Sequence, residues 1–340
     1  MELSALIKRV LEGDDLNEEQ AEQLLNAMMQ GELTPVQIAG ILMVMRTRGE
    51  TLEELVGFAR AMRANSVHVP VAVPNLLDTC GTGGDLLKTW NLSTATAFVV
   101  ASTGVPVAKH GNRAVSSKCG SADVLEALGA RIDLTPEQVA SCIEQVGVGF
   151  LFAPVHHPAM KHVAPVRREL GVRTVFNLLG PLTNPAGAKR QLLGVFSWEW
   201  LTMMAEALAR LGTERACVVH GMDGLDEVSP IGVTVCAHLK PDGTLETFEF
   251  TPTDLGLEPV PERALAAGET PEENARILRS ALSGDDELRM RALLPGAGVA
   301  LWVAGRADTI QDGIWIAQRA IESGRAEETL DDFIAFTQSI

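Results

Sequence analysis

The chain has 340 residues, 46% of them apolar and 21% charged, with a formal charge of −16. This composition suits one large or two modest globular domains and excludes a disordered chain. The acidic excess argues against general nucleic-acid binding, which relies on Lys and Arg neutralising phosphates.

Five scattered cysteines (Cys80, Cys119, Cys142, Cys217 and Cys236) without CxxC spacing indicate neither a disulfide framework nor a zinc site. Reduced thiols in a cytoplasm are expected. No apolar run approaches the roughly 18 residues of a membrane span, and no basic leader precedes a hydrophobic core, so a soluble, unexported protein is expected.

Residues 2–66 predict four helices, over 3–11, 17–30, 34–48 and 51–65. Gly13, Gly31 and Gly49 fall at helix ends, and Asn17, Thr34 and Thr51 are N-caps by residue type and position. The third helix is apolar almost all round, through Val36, Ile38, Ile41, Leu42, Met43, Val44 and Met45. That demands burial on more than one side, at a subunit interface or against the main domain.

After a Pro-containing linker at 66–75, strands and helices alternate in a parallel α/β pattern. The expected strands are 76–79, 105–108, 150–153, 192–196 and 216–219. Helices are expected over 93–103, 121–128, 135–146, 158–170 and 199–211. The run TVFNLLGPLTNPA, 174–186, is too rich in Asn, Pro and Gly for a long element and reads as a hinge between domains. Asp242-Gly243 predicts a hairpin that adds antiparallel strands. Helices follow at 271–283 and 286–294, then an apolar stretch at 298–303 and a closing helix at 309–323.

Four constellations carry chemistry. In the first, DTCGTGGDLLKTWN (78–91), Gly81, Gly83 and Gly84 allow backbone N–H groups to converge on an anion. Asn91-Leu92-Ser93-Thr94 then reads as a helix N-terminus, which also favours negative charge. Leu87 before Lys88 excludes a nucleotide P-loop, and Leu86 breaks the dinucleotide fingerprint. An ordinary glycine-rich turn is the plain alternative.

In the second, AKHGNRAVSSKCGSAD (108–123), Lys109, His110, Asn112, Arg113, Ser116, Ser117, Lys118 and Ser121 gather donors suited to phosphate and ribose oxygens, in a loop expected after the strand. His110 reads as either a general base or a hydrogen-bonding wall. His156, His157 and His162 invite a metal reading, but adjacent histidines point apart, and a surface or packing role is the better expectation.

The third is HGMDGLDEVS (220–229), where adjacent Asp226 and Glu227 suit Mg²⁺ held together with substrate phosphate. In the fourth, Arg167 and Arg168 near a helix end offer a planar partner for an acidic acceptor, although the helix dipole alone explains basic residues there.

Taken together, DTCGTGGD, NLSTATAF, VAKHGNRAVSSKCGSADVLEALG, FAPVHHPAMKHVAPVRRELGVRTVFNLLGPLTNPAG and HGMDGLDEVS closely resemble the anthranilate phosphoribosyltransferase family of tryptophan biosynthesis, in order and over most of the chain. The resemblance implies a small N-terminal helical domain, 1–70 with a contribution from about 166–188. It also implies a large α/β domain, 71–340, with a mostly parallel central sheet of the nucleoside phosphorylase/phosphoribosyltransferase type.

The implied reaction joins anthranilate to the ribosyl carbon of 5-phosphoribosyl 1-pyrophosphate, with Lys109, His110 and Arg167 as catalytic residues. Gly81, Gly84, Asp85, Thr89, Asn91, Leu92, Ser93, Thr94, the loop Lys109, His110, Gly111, Asn112, Arg113, Ala114, Val115, Ser116 and Ser117, and Ser121 would bind the phosphoribosyl substrate. Gly81, Asn112 and Arg167 would hold anthranilate, and Ser93, Asp226 and Glu227 would hold Mg²⁺. A cytoplasmic homodimer through the helical domain, with no nucleic-acid or membrane partner, is implied as well. Leu86, Cys80 and Cys119 depart from the family pattern without removing a liganding side chain. A pyrimidine nucleoside phosphorylase-like enzyme, or a nucleic-acid-binding protein on the same fold, are the rival readings.

Overall fold

The computed structural model describes residues 2–84, 87–114 and 118–340. Its first four helices are α1 (Leu3–Leu11), α2 (Glu18–Gln30), α3 (Pro35–Arg48) and α4 (Leu52–Ala64). Asn17, Thr34 and Thr51 each accept the third helical N–H, while Gln20, Gln37 and Glu54 return a bond to the cap's own N–H. These local rules alone set three helix starts.

Glu54 also reaches beyond its own helix. Fully buried, it accepts the Leu16 N–H at 3.0 Å and pairs with the Arg48 guanidinium. One carboxylate therefore ties together the end of α3, the start of α4 and the turn before α2.

Ile38, Ile41, Leu42 and Met45 of α3 are buried in one apolar cluster with α1, α2, α4 and the later segment 163–182. These four residues thus find their partners within the chain, so their burial does not by itself call for a subunit interface. Only part of α3 faces outward: Val36 is 82% exposed and Met43 36%.

Beyond residue 76 come β1 (Leu77–Asp78), α5 (Leu92–Ala101), β2 (Val107–Gly111), α6 (Ser121–Ala127), α7 (Pro136–Val146) and β3 (Val148–Phe152). The crossover holds α8 (Ala153–His156), α9 (Ala164–Leu170) and α10 (Phe176–Leu179). Then follow β4 (Arg190–Gly194), α11 (Leu201–Arg210), β5 (Arg215–Gly221), β6 (Thr234–Leu239) and β7 (Leu245–Phe250). The chain closes with α12 (Pro271–Ser283), α13 (Glu287–Val303), α14 (Ile310–Glu322) and α15 (Arg325–Ser339).

One seven-stranded sheet runs β3-β2-β1-β4-β5-β6-β7. The first five strands are parallel, and β6 and β7 join antiparallel through the predicted Asp242-Gly243 turn. α5 is buried along nearly its whole length in the core with α12 to α15, and the helical bundle shares the other large core with α11, β4 and β5.

Four expectations are corrected. The second strand reaches Gly111, so Lys109, His110 and Gly111 belong to β2 and not to a loop. The helix expected over 158–170 breaks at Val163 into a 3₁₀ turn and α9. α13 runs straight through Pro295, because burial on nearly every side outweighs one lost N–H. The helix at 310–322 does not close the chain: α15 follows, burying Ala326, Leu330, Phe333 and Thr337 at helical spacing. Among the described residues, no helix is long and apolar enough to cross a membrane.

Glu54→Gln keeps the shape of this residue but removes the charge facing Arg48 and one acceptor oxygen. It should cost roughly 1–3 kcal/mol of stability. Denaturant unfolding followed by circular dichroism measures this, and a wild-type midpoint would show that the node contributes nothing.

Candidate active site

From β1 the sheet grows in both directions, toward β2 and β3 on one side and toward β4 and β5 on the other. Loops after β1 and β4 therefore part at the carboxyl edge, leaving the crevice where open α/β sheets bind ligands. The glycine loop, the end of β2 and the acidic turn after β5 all open onto it.

The loop is held at its base by β4. The Thr82 N–H donates to Gly194 O at 2.9 Å, and Thr82 Oγ1 accepts the Phe196 N–H at 3.1 Å. Gly83 and Gly84 take φ of 68° and 86°, a conformation that side chains disfavour. Gly81 is tightly placed for a different reason: a Cβ there would stand 3.0 Å from Asp226 Oδ2 and 3.3 Å from Gly194 O. At Gly194 the approach is closer still, since a Cβ on that residue would stand only 1.6 Å from Asp226 O. Two glycines thus press the acidic turn against the phosphate-type loop, far apart as they are in sequence.

Asn91 to Thr94 do begin a helix, but Asn91 does not cap it. Its Nδ2 donates to Cys119 O at 3.1 Å, and the Ser93 N–H instead donates to Glu227 Oε1 at 3.1 Å. A carboxylate from the acidic turn thereby occupies the positive end of the α5 dipole. Asn91 Oδ1 and Thr94 Oγ1 remain buried with no protein partner, and Leu92 packs into the core.

Lys109, 4% exposed, donates from Nζ to Thr79 O at 3.2 Å, Thr79 Oγ1 at 3.4 Å and Ser93 Oγ at 3.3 Å. Among the described residues, no carboxylate lies within ion-pair distance of it. An amine so placed bridges the glycine loop and the start of α5.

Next to it, the His110 N–H donates to Asp78 Oδ1 at 3.2 Å, and Asn184 Nδ2 donates to Asp78 Oδ2 at 2.7 Å. Burial pushes the Asp78 carboxyl up to about 6. Burial also pushes the His110 imidazole down to about 3, so the ring is neutral. Its Nδ1 lies 3.0 Å from Gly180 O; a carbonyl only accepts, so Nδ1 carries the proton and the buried, unpartnered Nε2 presents a lone pair.

The His157 ring centroid is 5.1 Å from that of His110, and burial pushes His157 down to about 4. His156 and His157 are therefore core residues and not surface ones. Among the described residues, no group of three or more His, Cys, Asp or Glu side chains is gathered to hold a metal.

Arg167 lies with its guanidinium over the Phe176 ring at 5.0 Å, and burial lowers its pKa. Among the described residues it has no carboxylate partner within ion-pair distance. Arg168 beside it is exposed.

The loop after β2 is engaged with itself. Ser121 Oγ donates to Asn112 O at 3.3 Å, and the Ala114 N–H donates to Asp123 Oδ2 at 2.9 Å. Arg113 pairs with Asp123 at 3.1 Å and with Glu126 at 2.9 Å, so its charge is already matched by acidic side chains. Thr89 bridges to Ala266 on the far wall, and Lys118 pairs with Glu269. Asp85, Leu86, Val115, Ser116 and Ser117 lie outside the described residues.

Sequence reasoning missed Asp78, Asn184 and Arg173. Asp78 and Asn184 stand inside quoted motifs, yet only the fold shows that they bond to each other. Arg173 Nη2 donates to Gly84 O at 2.6 Å, and its sole sequence signal was its place among the basic residues between His157 and Arg190.

Two family models cover most of the chain: the helical bundle domain of a glycosyl transferase family matches residues 4–66, and the a/b domain of that family matches residues 73–327. An anthranilate phosphoribosyltransferase of Symbiobacterium thermophilum is 49% identical over 338 residues, covering 99% of this chain and 98% of its own. The anthranilate phosphoribosyltransferase crystal structure from Thermus thermophilus superposes with a TM-score of 0.92 at 47% identity, covering 98% of this chain and 99% of that one. The Saccharomyces cerevisiae enzyme in complex with PRPP and Mg superposes with a TM-score of 0.90 at 31% identity, covering 99% and 98%. On sequence, domain composition and fold alike, the chain belongs to the anthranilate phosphoribosyltransferase family.

Proposed function

We propose that the protein transfers the phosphoribosyl group of 5-phosphoribosyl 1-pyrophosphate to the amino group of anthranilate, releasing pyrophosphate. The observation that carries this reading is the buried Lys109, which has no carboxylate partner among the described residues and stands between the glycine loop and α5. Its hydrogen bonds go to neutral oxygens alone, which suits an amine that receives an arriving anion.

In this reading the bond from ribosyl C1 to the pyrophosphate oxygen breaks with its electron pair leaving on pyrophosphate, and the amine nitrogen takes its place. Lys109 and the N–H groups of the loop from Gly81 stabilise the leaving anion. Arg167, stripped of much of its water, holds the anthranilate carboxylate, aided by Asn112 and Gly81. His110 walls the acceptor subsite and offers Nε2 to an amine N–H. Asn91, Ser93, Thr94, Thr89 and Ser121 contact the sugar phosphate, while Leu92 keeps α5 seated.

Ser93 Oγ, Asp226 and Glu227 form an all-oxygen donor set that fits Mg²⁺, and the S. cerevisiae relative's Mg supports the assignment. The metal, bound with substrate, supplies neutralisation of the pyrophosphate charge.

The same reading divides the chain at residue 70 and counts about 166–188 with the helical unit, supported by Val166, Val175, Phe176 and Leu182 in that unit's core. It also makes the protein a cytoplasmic homodimer, supported by five free thiols and by an outward α3 stripe of Val36 and Met43 beside Leu11, which is 53% exposed.

A coupled assay should detect pyrophosphate release only when anthranilate is present. In that assay Arg167→Ala should raise the KM for anthranilate about 10-fold or more, with a smaller effect on the other substrate, because a charged hydrogen bond is worth about 1.5–3 kcal/mol. Nucleosides plus phosphate turning over faster would refute the assignment.

Asp226→Asn with Glu227→Gln should collapse turnover at limiting Mg²⁺ and leave the apoprotein's thermal midpoint level or slightly higher, since two adjacent carboxylates no longer repel. Near-normal activity would place the metal elsewhere. Light scattering should give twice the 36.3 kDa chain mass, and Val36→Glu with Met43→Glu should halve it; a wild-type monomer at micromolar concentration refutes the dimer.

A further inference from the structure

Arg173 is the one cation of the crossover, among the described residues, that reaches the glycine loop. Its Nη2 donates to Gly84 O at 2.6 Å while the guanidinium lies over the Phe196 ring, 4.3 Å from the centroid. Phe196 is itself fixed: its N–H donates to Thr82 Oγ1 at 3.1 Å, and its ring meets Trp200 at 6.4 Å. The loop is therefore gripped at Thr82 by the end of β4 and at Gly84 by Arg173.

The other end of this side chain is anchored in the helical unit. Arg173 follows α9, which carries Arg167, by way of Gly171 in the left-handed region at φ 61°. Val166 on one side and Val175 and Phe176 on the other are buried in the bundle core. Arg167 and Arg173 thus sit on one anchored segment, the first facing the proposed acceptor subsite and the second bonded to the loop proposed to hold pyrophosphate.

We propose that Arg173 is a positioning residue that couples the two subsites, so that an acceptor on Arg167 tightens the glycine loop around pyrophosphate. This inference rests on the substrate assignment above. Arg173 is exposed and has no carboxylate partner among the described residues, so its loss leaves no buried charge unpaired and should not unfold the chain. Coupling of this kind must be reciprocal: whatever factor anthranilate applies to pyrophosphate affinity, pyrophosphate applies to anthranilate affinity.

The test uses inorganic pyrophosphate with Mg²⁺, titrated by calorimetry into the full chain with and without saturating anthranilate, a pair that cannot react. In the wild type, anthranilate should tighten pyrophosphate binding about 3- to 10-fold. Arg173→Ala should bring that ratio to about 1 with an unchanged thermal midpoint, and Arg173→Lys, which keeps a donor but not the planar ring contact, should restore part of it. Phe196→Leu should lower the ratio as well. A wild-type ratio of 1, or an undiminished ratio in Arg173→Ala, overturns the proposal. Absence of anthranilate-dependent pyrophosphate release in the wild type would instead sink the substrate assignment.

Discussion

The Asp78 carboxylate is the contact through which the site's parts are aligned. It is fully buried at the end of the two-residue strand β1, and it accepts from the backbone of β2 at His110 and from the crossover at Asn184. Asn184 Nδ2 also donates to Ala108 O at 2.8 Å, which locks the crossover onto β2 beside Lys109. Such a charge is costly to bury. With its folded value raised from 3.8 to about 6, the folded chain binds more protons than the unfolded one between those values, so this group's contribution to stability falls as pH rises through that window. At neutral pH the cost is fully present, offset by two hydrogen bonds and the nearby Lys109 amine. A well-packed apolar residue would avoid the cost but would leave both donors unsatisfied.

The crossover belongs to both units of the molecule. Its apolar side, Val163, Val166, Val175, Phe176 and Leu179, completes the helical bundle, while its polar atoms, Gly180 O and Asn184, hold His110 and Asp78 of the α/β unit. Arg167 lies over Phe176 on the bundle side of this segment, and His110 meets Gly180 O on its sheet side.

Much of this was legible in the sequence, because it depends on local rules. Capping residues marked three helix starts, Asp242-Gly243 marked the hairpin, and strand–helix alternation marked the parallel sheet. Pairings between distant segments were not legible, since nothing in the composition of GPLTNP says that its Asn meets Asp78. Boundaries failed where tertiary burial overrode local signals. Pro295 sits inside α13, and β2 continues through the polar Lys109 and His110 because Phe150 and Leu151 of β3 pair with them. The apolar third helix was read correctly as buried, but beside α1, α2 and α4 its partners include a segment more than a hundred residues away.

Glu227 at the head of α5 changes what the crevice will accept. An uncapped helix start would draw any phosphate, yet this one already receives a carboxylate at the Ser93 N–H, with Asp226 alongside. A bare anion approaching Lys109 meets those acids as well, and their repulsion cancels much of the pull of the lysine and the dipole. The head of this one helix therefore carries both signs of charge, a buried amine at Ser93 Oγ and a carboxylate at the Ser93 N–H.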